Sequence, residues 1–427
     1  MRQAILDGVS APVASPSHFA LLEMLRPLIA IALTTAAVQA QTTPRAPIRP
    51  LGAIIAKAPV TFDTLINVRG LSDGRIVVND AVGFKLITLD STFTKVTVWS
   101  DTTANSKRNY GTQPAVIMPV AADSSVLLEL RTQAFTTIDP QGNFGRVFAM
   151  PKAGDGTAVA LSTMYGGAGI DPQGRLVHFG NPTPIAIRNP GCGPTKPALT
   201  ADSVPLVRAN FETRTVDTIA RIRFSFMTAD IVENPGQPGC WQWRQKVDVL
   251  PVYGDQWMLL TDGTVAIVRQ HDYHMDWIAP DGTKTSSPKM PFDWRAISVE
   301  EKQRMIDSVV RIQDSIAAAR PKPPNAPPGF KFPSRPVVSP AEIPDFIPPT
   351  RLGSMKLDSE GNLWIPPTTT RDARGGLLYD VVNRKGEVIE RVQLPAGRAI
   401  AGFVPGGRVV LRSREGNTIT IELAKIR

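Results

Sequence analysis

The stretch VRGLSDGRIVVND, Val68–Asp80, decides the architecture. A short apolar run enters a turn at Asp73 and Gly74, and a second run, Ile76–Val78, leaves it. Glycine accepts the positive φ that tight hairpin turns demand, and aspartate bonds its own backbone two residues on. Asp-Gly between apolar runs therefore encodes an antiparallel hairpin. The run Ile76–Val78 does not alternate with polar residues, as expected of a strand covered on both faces.

The same pattern recurs down the chain. It returns as VAADSSVLLEL (Val120–Leu130), GAGIDPQGRLVHFG (Gly167–Gly180), WMLLTDGTVAIV (Trp257–Val268), SMKLDSEGNLWI (Ser354–Ile365) and AGFVPGGRVVLRS (Ala401–Ser413). The turns centre on Gly74, Ser125, Gly174, Gly263, Gly361 and Gly407, spaced 51, 49, 89, 98 and 46 residues apart. Three spacings match one propeller blade of about 40–50 residues, and two match a blade plus an insertion. A second hairpin follows in FTTIDPQGNFGRVF (Phe135–Phe148), DWIAPDGTK (Asp276–Lys284) and YDVVNRKGEVIERV (Tyr379–Val392). Two hairpins make four antiparallel strands. The fold class is therefore all-β, a six-bladed β-propeller of four-stranded antiparallel blades with one helical and Pro-rich insertion. Two stacked sandwiches are the rival, and they would alternate more and lack the sixfold repeat. The sixth unit supplies three strands, so its outer strand is expected from Leu51–Val60. That arrangement closes the ring and removes open sheet edges.

Composition agrees with this class. The 427 residues include 39 prolines and 33 glycines, too many for a mainly helical protein. Two cysteines and four histidines exclude zinc-finger arrays and disulfide-dense scaffolds. The net charge of +9 is scattered, without a Lys/Arg block or interleaved aromatics, which argues against nucleic acid as a partner.

Residues 1–40 are expected to be a signal peptide, with Met24 as an alternative start. Arg26 precedes the apolar run Leu28–Ala40, and Val38-Gln39-Ala40 forms a small-x-small site, so cleavage falls at Ala40–Gln41. The run is too short to span a membrane, and the expected location is secreted or periplasmic. Residues 41–50 read as a flexible segment and 51–427 as the propeller. Insertions at 181–201, 221–246 and 291–350 are expected on one face. In an oxidising compartment Cys192 and Cys240 can pair and clamp the first two insertions. In the third, Ser298 and Glu301 form a capping box, and Ile306, Val309, Val310 and Ile316 form a stripe expected to dock on the propeller. After Arg320, the 11 prolines from Pro321 to Pro349 impose an extended path. Phe330, Phe332, Phe346 and Ile347 are expected to need burial there.

LSDGRIVVND (Leu71–Asp80), DYHMDWIAPDG (Asp272–Gly282), LDSEGNLWI (Leu357–Ile365) and YDVVNRKGEVIERVQLP (Tyr379–Pro395) make the chain resemble the secreted bacterial six-bladed β-propellers of the TolB/NHL-like kind. The resemblance implies architecture, not activity, and carries no catalytic residue with it. The reading is a binding or scaffolding module that uses its insertion-bearing face, without a cofactor, for a protein or small anionic ligand. Its candidate contacts are His271, Asp272, Tyr273, His274, Arg371, Asp372, Arg374, Asn79 and Asp80, with Trp241 and Trp243 as an apolar wall. The alternative is a metal-assisted hydrolase or lyase at the channel mouth. It would use zinc on His178, His271 and His274, because three imidazoles leave an open coordination position, or else calcium. Asn79 and Asp80 alone fall short of a calcium shell.

Overall fold

The computed structural model describes residues 46–427, apart from 64–65, 104–105, 121–122, 181–190, 195–202, 224–228, 235, 251–252, 331, 333–334 and 373. The expected signal peptide and its cleavage point lie outside the described residues, as does most of 181–201.

Six sheets stand side by side around one axis. From the inner strand outward, blade 1 is Ile66–Gly70, Ile76–Asp80, Lys85–Leu89 and Val96–Asp101, with Arg108–Asn109 added in parallel. Blade 2 is Ala115–Pro119, Ser125–Glu129, Ala134–Ile138 and Phe144–Ala149. Blade 3 is Gly169–Ile170, Arg175–Phe179, Ser203–Asn210 and Val216–Arg223. Blade 4 is Gln256–Leu259, Val265–Arg269, His274–Ile278 and Lys284–Ser286. Blade 5 is Lys356–Leu357, Leu363–Ile365, Leu378–Val382 and Val388–Gln393. Blade 6 is Arg398–Val404, Arg408–Glu415 and Thr418–Lys425, completed by Ile54–Lys57 from the N-terminal side. The chain thus closes its own ring, and Ile48–Pro50 extends the seal by pairing in parallel with Val388–Gln393 of blade 5.

The core sits between blades. One apolar cluster joins blades 6 and 1, another joins 1 and 2, a third spans 2 to 4, and two more link 4 to 5 and 5 to 6. That is why the second strand of a blade reads as an unbroken apolar run: Ile76–Asp80 and Leu363–Ile365 are buried along their whole length. The Asp-containing turns bond as expected. Asp73 accepts from the Arg75 amide at 3.0 Å and Asp262 from that of Thr264 at 2.9 Å, with Gly74 and Gly263 at φ +86° and +85°.

Helix α1, Gly156–Tyr165, lies between blades 2 and 3 and adds a helix to the one expected. Ser162 fixes it: its hydroxyl donates to the Ala158 carbonyl at 2.7 Å and accepts from the Phe179 amide at 2.6 Å. Helix α2, Val299–Ala319, starts at Ser298, whose hydroxyl accepts from the Glu301 amide at 3.2 Å. The Glu301 carboxylate turns to Arg295 at 2.8 Å instead of back to the cap, so half of the capping box forms. The stripe docks only in part. Met305 and Ile306 pack with Ile297, Val338 and Ile343, whereas Val310 and Ile316 stand 39% and 65% exposed. Lys302, one turn above Met305, is buried instead, donating to the Ile343 carbonyl at 2.9 Å and to Asp345 at 2.7 Å. Of the aromatics expected to need burial, Phe346 is 48% exposed. Phe330 and Phe332 meet edge to face, 5.1 Å between centroids, with Arg320 over the Phe332 ring.

The inserted segments meet. Ala229–Asn234, Gln237–Gln245 and Gly191–Cys192 form a small separate sheet pinned by the Cys192–Cys240 disulfide. Beyond it, Val247 bridges Val337, and Lys246 pairs with Glu342 at 2.7 Å, which ties the Pro-rich segment to the approach to blade 4.

Candidate functional site

The inner strands of five blades and the approach to the third, Gly166–Ala168, line a channel of about 640 Å³. Its wall takes Asn67–Gly70 from blade 1, Ile117 and Pro119 from blade 2, and Met258 and Leu259 from blade 4. Lys356 and Leu357 come from blade 5, and Ala399–Phe403 from blade 6. Its rim includes Thr163–Gly167 at the end of α1, Arg351–Ser354 after the long insertion, and Pro366–Thr370 in blade 5, segments that enter a blade or join its second and third strands. These are the connection types that carry the insertions. A blade's inner strand packs against a neighbour on each face and borders the axis along its edge, so its residues contribute most of the lining.

That lining is one-sided in charge. Arg69, Arg351, Lys356 and Arg412 reach it, and among the described residues no aspartate, glutamate or histidine does. Arg69 is committed to the fold, since its guanidinium donates to the Val120 carbonyl at 3.2 Å and to Ser124 and Ser125. Burial pulls its pKa down to about 10, against the opposing pull of Asp123. Lys356 and Arg412 differ: among the described residues neither has a hydrogen-bond or ion-pair partner. The Lys356 ammonium is withdrawn from bulk solvent inside the channel. That desolvation, with the Arg412 charge added, lowers its pKa to about 8. Gln256 holds the strand that presents it, its side-chain oxygen accepting from the Ser354 and Met355 amides at 3.1 and 3.0 Å. Tyr379 completes this part of the wall. Its hydroxyl accepts from the Ile400 amide at 3.4 Å, and burial raises its pKa.

The residues singled out from sequence lie mostly elsewhere. Asn79 and Asp80 are buried and occupied: Asn79 accepts from Tyr110 at 2.6 Å and donates to the Ala115 carbonyl at 2.8 Å. Asp80 accepts from the Asp63 and Gly83 amides at 3.0 and 2.9 Å. His271 is exposed, and Tyr273 is fully buried in the core between blades 4 and 5. His274 is held by Asp272 at 2.6 Å and Asp276 at 3.2 Å, beside an Arg269 that bridges Asp276 and Asp255 at 2.7 and 2.8 Å. This network decorates blade 4 and does not line the channel.

His178 is buried in blade 3, bonded through Nδ1 to the Phe179 carbonyl at 2.5 Å, with Asp155 3.9 Å from Nε2. Burial lowers its pKa to about 4, so it is neutral. The three imidazoles do not converge: among the described residues no group of three or more His, Cys, Asp or Glu side chains could hold a metal ion. Trp241 donates to the Gly193 carbonyl at 3.2 Å and braces the disulfide sheet. Arg374 is exposed, while the side chains of Arg371, Asp372 and Trp243 lie outside the described residues. The turn Thr368–Asp372 does reach the channel mouth, through Thr368 and Thr370.

Sequence reasoning passed over Lys356, Arg412, Arg69 and Tyr379. A signal was present. A lysine between Met355 and Leu357 in the first run of a repeat belongs to an inner strand, and a charge there faces the axis. Arg412 likewise breaks the run Val409–Leu411.

Six four-stranded antiparallel blades, sealed by an N-terminal strand and surrounding a lined channel, define a six-bladed β-propeller. No protein-family model matches the chain, nor does any curated protein. Among solved structures, a gluconolactonase from Xanthomonas campestris is 13% identical, covering 89% of this chain and 96% of that one at a TM-score of 0.37. TolB from Acinetobacter baumannii is 10% identical, covering 84% and 67% at 0.34. A virginiamycin B lyase from Staphylococcus aureus is 10% identical, covering 84% and 94% at 0.33. These likenesses are slight, and the class rests on the six sheets themselves. Among the described residues no helix is long and apolar enough to cross a membrane.

Proposed function

We propose that the protein is an exported binding module that takes its ligand in the propeller channel, through the mouth bordered by the insertion-bearing connections. The observation that carries this reading is the channel itself: about 640 Å³, apolar along much of its wall, with a few polar groups converging on it. Ligand sites in folded proteins have this size and character. Among the described residues the lining offers cations and hydroxyls and no carboxylate, imidazole or thiol, which supports binding over acid–base chemistry. Export is supported by the leader-like run ending at Ala40 and by the Cys192–Cys240 disulfide, a bond that persists in oxidising compartments.

The neutral fluorescent probe N-phenyl-1-naphthylamine tests the channel. It is expected to bind at one site per chain, and Ala401→Trp, which adds an indole to the lining, is expected to abolish that site, with a retained cooperative thermal transition showing that the chain is still folded. Equal binding to both proteins would discard the channel as the site. For export, N-terminal sequencing of the chain recovered from a periplasmic fraction is expected to begin at Gln41. Recovery of the uncut chain from the cytoplasm alone would refute the leader.

A further inference from the structure

We infer that the channel ligand is an organic anion, a carboxylate, phosphate or sulfonate group on an apolar body, with the charged group held between Lys356 and Arg412. The inference deepens the channel reading and depends on it.

Several partly buried cations among the described residues are matched to a carboxylate. Arg49 pairs with Glu390, Arg108 with Glu129, Arg269 with Asp255 and Asp276, and Arg398 with Glu422. Lys302, buried under α2, still reaches Asp345. Lys356 and Arg412 depart from this pattern. They share one cavity, have no counter-charge among the described residues, and stand close enough for Arg412 to depress the lysine's affinity for its proton. Stability alone gives no reason to place Lys356, withdrawn from bulk solvent, beside a second cation in one cavity, since it loses hydration and is repelled by Arg412.

An anion supplied from outside reverses both effects. The low-dielectric walls of a one-signed cleft also concentrate its field on the lumen. The remainder of the wall specifies the body of the ligand. Leu357, Leu377, Ile400 and Phe403 form apolar surface beside the cations, and Tyr379 offers a ring edge and a hydroxyl. Inorganic phosphate would satisfy the charges and leave that surface wet. An amphipathic anion satisfies both.

The test compares 8-anilinonaphthalene-1-sulfonate with N-phenyl-1-naphthylamine, the same ring system without the sulfonate, by fluorescence titration of the full chain. The wild type is expected to hold the sulfonate at least tenfold more tightly than the neutral probe. Arg412→Met and Lys356→Met are each expected to weaken the sulfonate several-fold, and together to bring it to the level of the neutral probe. Arg412→Lys should restore most of the loss, and Lys95→Met, an exposed control of equal charge change, should cause none. Arg412 is exposed on the channel side, so its substitution leaves the core intact if Lys356→Met fails to fold.

Sulfonate affinity should fall as pH rises through and above 8. The ammonium is present below that pH and is lost above it, and a bound anion moves the midpoint upward. Of the other channel groups, Arg69 titrates at about 10 and burial raises Tyr379, both above that range; Arg351 and Arg412 also line the channel. Lys356→Met should remove this dependence. Competition by octanoate against octyl phosphate then tells carboxylate from phosphate.

Equal affinity for the two probes, with both lost in Ala401→Trp, would overturn the anion and keep the channel. Sulfonate binding untouched by Ala401→Trp and by the double variant would overturn both. Tighter sulfonate binding that ignores Lys356 and Arg412 but is lost in Ala401→Trp would overturn the assignment of these two residues.

Discussion

A chain beginning at Asp63 is expected to lose its cooperative unfolding transition and to associate at micromolar concentration. The truncation removes Ile54–Lys57, whose register on the last strand of blade 6 pairs Ile54 with Ala424, Ala56 with Leu423 and Lys57 with Glu422. It also removes the bonds that continue the seam: the Ala58 amide to the Ile421 carbonyl at 2.8 Å, and the reciprocal pair between Phe62 and Ile419 at 2.9 and 2.8 Å.

Phe62 and Ala58 belong to the cluster that joins blade 6 to blade 1, and Leu51 to the one that joins 5 to 6. Losing a buried large side chain costs about 2–5 kcal/mol. Two of them, together with the ladder bonds, approach the whole ~5–15 kcal/mol that holds a domain folded. The strand Thr418–Lys425 would then present an unpaired edge, ready to pair with another chain. Circular dichroism melting and light scattering check both parts. A monomeric truncated chain with a sharp transition near the wild-type midpoint would show that the ring is held shut without its N-terminal strand.

Trp364→Ala should be the most damaging single substitution, lowering stability by about 3–5 kcal/mol. The indole is 1% exposed at the contact of blades 5 and 6, with its ring centroid 5.1 Å from that of Phe403 and 6.3 Å from that of Tyr379. Its Nε1 donates to Asp358 at 3.0 Å, so alanine creates a cavity and removes a bond from a buried carboxylate. Asp358 keeps the Glu360 and Asn362 amides at 2.9 and 2.8 Å, so the turn itself should survive.

Phe403 and Tyr379 also line the channel. The wall therefore relaxes into the cavity, and probe affinity should fall along with stability. Trp364→Phe is expected to recover roughly half of the loss, as it refills most of the volume without the hydrogen bond. Urea denaturation measures this directly. A change below about 1 kcal/mol, within the range of a surface site, would mean that the blade contact does not depend on this ring.

Both expectations arise from a ring in which every blade needs two neighbours. A single blade is a small sheet with apolar side chains on both faces, and it is covered only when the circle closes. This explains why chemistry-bearing residues in the strands proved structural. Asn79 and Asp80 look like an exposed polar pair at a strand end, yet neighbouring backbone groups occupy both. His178 looks available and is sealed against α1, a helix that no repeat announces. The outer half of α2 shows the converse. Its apolar stripe is regular in sequence, but docking stops near Ile306 because the surface beneath it ends there.

The sequence by itself determined the number of blades, their strand order, the source of the closing strand and the pairing partners of the cysteines. These depend on local features: turn residues that fix φ, apolar runs whose period reports burial, and spacing along the chain. Only the tertiary structure decided which charges meet. Lys356 and Arg412 stand 56 positions apart in different blades, and nothing in either run says that they share a cavity until the inner strands curve round one axis. Burial, the absence of a counter-ion and their mutual repulsion are properties of the enclosed space, and that space exists only once the last blade has taken its fourth strand from the other end of the chain.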